Sequence, residues 1–241
     1  MSENDQTWRQ QDLAKGFLEE IRGAIPLAGE QIDVLLRVVR VALPKVDRLL
    51  DLGCGDGILG RTLLAEHRQA SAVFLDLSEY MIEAARQKTD CPRASFVVRD
   101  LAAKSWIESV AGQAPFDLVV SSLAIHHLTD ERKQELYGEI FDLLAPGGLF
   151  LNLEHVSARS EWSKRAYNDF FVDMLWAQHR RQGGGKARDE IAEQWRLRLG
   201  KAQDLTAAVE DQCEWLRRIG FADVDCFFKI FELALFGGKK K

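Results

Sequence analysis

No apolar run in this 241-residue chain approaches the roughly 18 residues that a helix needs to cross a bilayer. The opening residues, Met-Ser-Glu-Asn-Asp-Gln, are polar and acidic, so neither a membrane span nor a signal peptide is expected. Cysteine is scarce. Cys54, Cys91, Cys213 and Cys226 form no Cys-x-x-Cys pair and no metal-ligand spacing with the five histidines. They read as reduced thiols of a cytoplasmic protein, and no metal site is expected. A surplus of positive charge is missing too: a formal net charge of −5 offers no general attraction to nucleic acid. Internal repeats are absent. The chain has a globular composition, 46% apolar and 29% charged, and is long enough for one α/β core with an insertion.

Against these absences stands one dense motif. Residues 49–57 read Leu-Leu-Asp-Leu-Gly-Cys-Gly-Asp-Gly, an apolar strand running into three alternating glycines and then a helix. Side chains at Gly53, Gly55 and Gly57 would block a close backbone approach to a ligand, and glycine also tolerates the positive φ of a tight turn. A glycine-rich turn alone is weak, because dinucleotide enzymes use a similar one. Three acidic residues sharpen it. Asp51 precedes the first glycine, Asp76 ends the apolar run 71–76, and Asp100 ends the run 94–100. A carboxylate at Asp76 can accept hydrogen bonds from both hydroxyls of a ribose, and Asp100 stands where an adenine edge would be read. Singly, each is more often a helix cap or a solvated loop residue; three in register with the glycine turn reverse those odds. Further runs follow at 116–122 and 143–154.

The order and spacing of these five pieces resemble the class I S-adenosylmethionine-dependent methyltransferases, over about residues 46–156 and more loosely at the end of the chain. The resemblance implies an α/β fold, a Rossmann-like seven-stranded sheet with helices on both faces in a single domain 1–241. Residues 1–45 would form an N-terminal helical cap, and residues 157–202 a helical insertion after strand five. It implies S-adenosylmethionine as cofactor. Asp51, Gly53, Gly55 and Gly57 would surround its methionine part, Asp76 would hold the ribose hydroxyls, and Leu77 would lie against the adenine. Asp100 would accept from the adenine amino group, with the Leu101 amide on a ring nitrogen; Met81 and Ser121 complete the implied set. The closing segment also resembles, distantly, carboxy-S-adenosylmethionine synthase. In that branch Arg22 could reach a cofactor carboxylate, though a surface arginine is nearly as good a reading.

Around this core the periodicity predicts helices over much of 8–41, broken near Pro26, with Ile32, Leu35, Leu36 and Val39 at helical spacing. Another helix should run from Thr129-Asp130 to Leu144 and stop at Pro146-Gly147-Gly148. Residues 157–202 carry Trp162, Trp176 and Trp195, a possible hinge at Gly183–Gly185, and a basic stretch containing Arg180 and Arg181. This reads as a lid whose arginines could hold an anionic acceptor, the alternative being core aromatics and a solvated face. A helix is expected over 205–218 and strand-like runs to 236, then a frayed Gly-Gly-Lys-Lys-Lys tail.

A sulfonium is already activated, so methyl transfer asks the protein to align a nucleophile and, for some acceptors, to remove a proton. An Asn-Pro-Pro-Tyr motif would mark exocyclic-amine methylation; Ser121-Ser122-Leu123-Ala124 stands in its place. His126 and His127 follow directly, and His127 is the candidate base, with Glu154 and His155 beyond strand five as the others. A histidine bonding loop backbone is the competing reading. The expectation is a methyltransferase acting on a small molecule, with no nucleic-acid or membrane partner and the oligomeric state open. The alternatives are a synthase that modifies the cofactor itself and a cofactor-binding protein without transferase activity.

Overall fold

In the computed structural model, residues 11–16, 22–198 and 204–241 are described. The five apolar runs become β1 (Arg48–Leu52), β2 (Ser71–Asp76), β3 (Ala94–Val98), β4 (Phe116–Ser122) and β5 (Leu144–His155). With β6 (Ala222–Ile230) and β7 (Leu233–Lys239) they form one seven-stranded sheet in the order β3-β2-β1-β4-β5-β7-β6. Strands β1 to β5 pair in parallel, and β7 runs antiparallel to both β5 and β6. The helices are α1 (Gln11–Gly16), α2 (Ala28–Ala42), α3 (Ile58–Glu66), α4 (Glu79–Lys88), α5 (Asp130–Leu143), α6 (Glu161–Arg181), α7 (Arg188–Arg196) and α8 (Val209–Ile219). Among the described residues no helix is long and apolar enough to cross a membrane.

Alternate residues of the central strands enter two different cores. Leu50, Leu52, Val73, Leu75, Val119 and Phe150 meet α5 and α8 through Leu136, Tyr137, Ile140 and Leu216. Leu49, Ala72, Phe74, Leu118, Val120 and Leu151 meet α2, α3 and α4 through Leu35, Val39, Leu59, Leu63, Ile82 and Ala85. Helices therefore cover both faces. Strands buried on both sides need apolar residues at every position, which is why they read as continuous runs rather than as alternation.

The helix expected to stop at Pro146-Gly147-Gly148 ends at Leu143, and β5 takes up the fifth run from Leu144, with its register against β4 shifting between Phe116 and Leu118. One chain-end expectation is corrected. The closing glycines are not a frayed tail. Gly237 and Gly238 pair in β7 with Leu151 and Phe150, and a Cβ on Gly237 would stand 1.9 Å from the Phe150 carbonyl oxygen. Glycine serves there for close strand approach. The Lys240 ammonium donates to the carbonyls of Phe141 and Leu144 at 2.7 and 2.9 Å, at the end of α5 where the helix dipole favours a cation.

The segment after β5 holds α6 and α7. Ser160 caps α6, and Arg188 pairs with Asp169 and Asp173 to tie α7 to it. Tyr167 and Phe171 of α6 bury against Leu233, flanked by Ile25, Leu123, Trp195 and Ile230. The three tryptophans part company. Trp195 stacks near Phe171 with centroids 4.6 Å apart, Trp176 donates to the Lys186 carbonyl, and Trp162 stays 69% exposed.

Candidate functional site

The strand order turns outward from β1 in both directions, to β2 and to β4, so the C-terminal ends of these three strands flank a crevice at the switch point. Asp51 lies there, wholly buried. Its Oδ2 accepts the Gly60 N–H at 2.8 Å, while its Oδ1 has no partner. Burial, aided by the charges of Asp76 and Asp56 against the Gly60 bond, pushes the carboxyl up to about 7. Such a group gains most from a cationic partner.

The three glycines answer to different neighbours. A Cβ on Gly53 (φ 62°) would meet the Ala124 Cβ at 2.1 Å, so the β1 turn lies directly against the loop after β4. Gly57 (φ 77°) backs onto Phe74 and Ala85. Gly55 (φ 55°) has no heavy atom within 4 Å of where its Cβ would stand, so it faces open space.

The N–H of Gly55 donates to Asp76 Oδ2 at 2.9 Å, and the N–H of Ser78 to Asp76 Oδ1 at 2.9 Å. Burial raises the Asp76 carboxyl against these bonds. The Leu77 N–H also bonds this carboxylate, so three backbone donors hold it, and of the roughly four acceptor positions of a carboxylate one is left for a hydroxyl donor. Leu77 is half-buried beside it, and Met81 is buried in the first turn of α4. On the β3 side, Asp100 Oδ1 accepts the Ala102 N–H at 2.8 Å. The Leu101 carbonyl accepts from Arg132 Nε at 2.9 Å, and Glu139 holds that guanidinium through both oxygens. Ser121 is buried with its hydroxyl donating to the Leu52 carbonyl at 2.8 Å, which ties the end of β4 to the residue before Gly53. The Arg22 side chain lies outside the described residues.

These features fit S-adenosylmethionine. An unpartnered buried carboxylate oxygen suits the amino group, a turn whose Cβ would fill the crevice suits the methionine backbone, and a half-buried carboxylate suits the ribose.

A second cluster begins where Ala124 leaves off. His126 is buried in the turn Ile125–His127; its Nδ1 lies 2.6 Å from Glu154 Oε1, and its backbone N–H donates to Glu154 Oε2 at 3.1 Å. Glu154 Oε1 also accepts the His155 N–H at 2.8 Å. Burial works to raise the Glu154 carboxyl, but the His126 ring and these bonds outweigh it and hold it below the ordinary value. His126 Nε2 faces Asp204 Oδ1 at 3.8 Å, and the His127 ring sits 3.9 Å from the His126 ring. Sequence reasoning singles out His127 and Glu154; the structure joins Glu154 to His126 instead and adds Asp204, a residue with no motif around it. It also pairs His155 with Glu232 at 3.2 Å and leaves the buried Glu232 Oε1 without a partner.

Comparison with known proteins agrees with this geometry. A family model described as "Methyltransferase domain" matches residues 49–148. Trans-aconitate 2-methyltransferase of Variovorax paradoxus is 33% identical over 141 residues, 58% of this chain and 51% of that protein. The chain thus spans about half the length of that relative. Carboxy-S-adenosyl-L-methionine synthase of Nautilia profundicola is 21% identical over 227 residues, 94% of this chain and 91% of that protein. An O-methyltransferase family protein from Burkholderia thailandensis shares the fold, with a TM-score of 0.62 at 17% identity, over 98% of this chain and 64% of that one. Residues 49–148 thus match a methyltransferase domain, and the fold is one shared with solved methyltransferase structures.

Proposed function

We propose that this protein transfers the methyl group of S-adenosylmethionine to a small-molecule acceptor. The observation that carries the reading is Asp51, a wholly buried carboxylate with one unpartnered oxygen beneath an open glycine turn. In this reading Asp51 binds the amino group, Gly55 leaves the passage clear, and Asp76 accepts from a ribose hydroxyl. Leu77 and Met81 line the nucleoside side, Asp100 and the Leu101 amide meet the adenine edge, and Ser121 steadies the turn through Leu52.

When bound, the cofactor supplies a methyl group already activated on a sulfonium. The protein's own task is alignment, together with handling the acceptor's proton. Glu154 serves as a positioning residue that fixes the His126 ring, and His127 stands beside it on the acceptor side. Helices α6 and α7 cover the acceptor with Tyr167, Phe171 and Trp195, which already gather against Leu123. A cytoplasmic enzyme without a nucleic-acid partner is supported by the net charge of −5 and by the free thiols.

S-adenosylhomocysteine should raise the melting temperature of the purified protein, and NAD at the same concentration should not, since only a ligand of the native state stabilises it. No shift with S-adenosylhomocysteine would remove the basis of the proposal. A second reading, a synthase that modifies the cofactor, is favoured by one observation: the carboxy-S-adenosyl-L-methionine synthase aligns over nearly the whole of both chains.

A further inference from the structure

We propose that His126, His127 and Asp204 form a divalent-metal site beside the cofactor turn, and that the metal holds the acceptor through an oxygen atom. The acceptor's part in this rests on the function proposed above; the metal site itself does not.

The His126 ring is oriented before any ion arrives. His126 Nδ1 lies 2.6 Å from Glu154 Oε1, so Nε2 is the ring nitrogen turned to the opposite side, toward Asp204. A carboxylate behind a histidine in this way fixes tautomer and direction, as in metal-binding histidines generally. One ligand atom each from His126, His127 and Asp204 lies within 4.8 Å of the others, and the Nε2 to Oδ1 distance is 3.8 Å. Drawing three such atoms onto an ion at about 2.0–2.2 Å asks for small side-chain rotations at His127 and Asp204.

The two chain segments that supply the ligands are tied to each other. The Leu205 N–H donates to the His126 carbonyl at 2.8 Å, while the buried Lys133 ammonium bridges the Leu205 carbonyl and Asp130. Arg198 engages Asp204 Oδ2, which leaves Oδ1 as the oxygen turned toward the histidine. Two imidazoles and one carboxylate suit zinc, iron(II), cobalt or nickel better than calcium or magnesium. Three protein ligands leave coordination positions open for an acceptor oxygen. The location is right for it: Ala124, two residues before His126, touches the Gly53 turn. A hydroxyl bound to the metal would release its proton to water more readily than a free one. No spacing rule could reveal this set, because Asp204 lies far along the chain from the histidine pair.

The test uses metal-stripped protein titrated with Co2+ alone, followed by calorimetry and ligand-field absorption. One Co2+ per chain is expected, and His127→Ala or Asp204→Asn should each weaken it at least about tenfold while the thermal shift with S-adenosylhomocysteine persists as a check on folding. Glu154→Gln, which alters the support behind His126 without removing a ligand atom, should weaken Co2+ by about 10- to 100-fold. In the unsubstituted protein Co2+ should broaden the ring resonances of His126 and His127 before those of His67, so the site is testable even where a variant fails to fold. Absence of stoichiometric binding, or binding that ignores both ligand substitutions, overturns the site and leaves the proposed function standing. Co2+ bound at these residues in a protein that ignores S-adenosylhomocysteine would uphold the metal site and discard the acceptor role.

Discussion

Gly55→Ala asks whether the glycine turn is a cofactor cradle or only a tight turn. Gly55 has φ 55°, so an alanine there carries a left-handed penalty of about 1–2 kcal/mol. Nothing lies within 4 Å of the new methyl, so packing adds no further loss in the free protein. For a chain of this size each kcal/mol lowers the melting temperature by about 2–4 °C, and the variant should remain folded at room temperature. Gly53→Ala has a similar φ penalty (φ 62°) and also drives its methyl into Ala124 at 2.1 Å, an overpacking worth about 1–3 kcal/mol more. The two substitutions should therefore separate. Gly53→Ala melts distinctly earlier, and the double variant Gly53→Ala/Ala124→Gly recovers the steric part of that loss. Gly55→Ala melts close to the unsubstituted protein yet binds S-adenosylhomocysteine at least about tenfold more weakly by calorimetry, a loss of about 1.4 kcal/mol or more. Unchanged affinity in a folded Gly55→Ala protein would refute the cradle.

Other substitutions and conditions probe neighbouring parts of the site. Asp76→Ala should weaken S-adenosylhomocysteine by one charge-assisted hydrogen bond of about 1.5–3 kcal/mol, and should also lower the melting temperature of the free protein, because Gly55, Leu77 and Ser78 lose their acceptor; a free protein that melts unchanged would contradict the bonding described. Because burial lifts Asp51 from its ordinary 3.8 to about 7, its protonated form is the one the free fold favours. The stability it contributes is present below 3.8 and is lost as pH rises through about 7. Asp51→Asn should therefore melt higher than the unsubstituted protein above pH about 7, with the gain fading in acid, and should bind the cofactor worse; a gain that grows in acid would reverse the argument. Hydrogen exchange in α6 and α7 should slow when S-adenosylhomocysteine and an accepted substrate are both present, whereas full protection in the free protein would make this segment a fixed part of the core.

The central strands were legible because burial on both faces leaves no polar positions to blur them, and their acidic ends mark where the sheet stops. Asp51 and Asp76 could be placed together from sequence because parallel neighbours end on the same side. Other features had no such signal. Gly237 and Gly238 look flexible in one dimension, and only the carbonyl of Phe150 across the sheet explains why a side chain is excluded. The choice between His126 and His127 depends on a tight helical turn, in which adjacent side chains point about a third of a turn apart. That turn sends His126 inward to Glu154, and periodicity cannot resolve a difference of one residue. Asp204 joins the site through a backbone bond between Leu205 and His126, a contact that exists only once the chain has folded.

The most direct test of the central claim is a native mass spectrum of the purified protein, alone and after addition of S-adenosylmethionine. The account predicts one retained nucleotide per chain with the mass of S-adenosylmethionine or of its demethylated product, and its loss on Asp51→Ala substitution. A carboxylated nucleotide would shift the assignment to the cofactor-modifying reading. A dinucleotide in its place, or no binding after S-adenosylmethionine is added, would contradict the account.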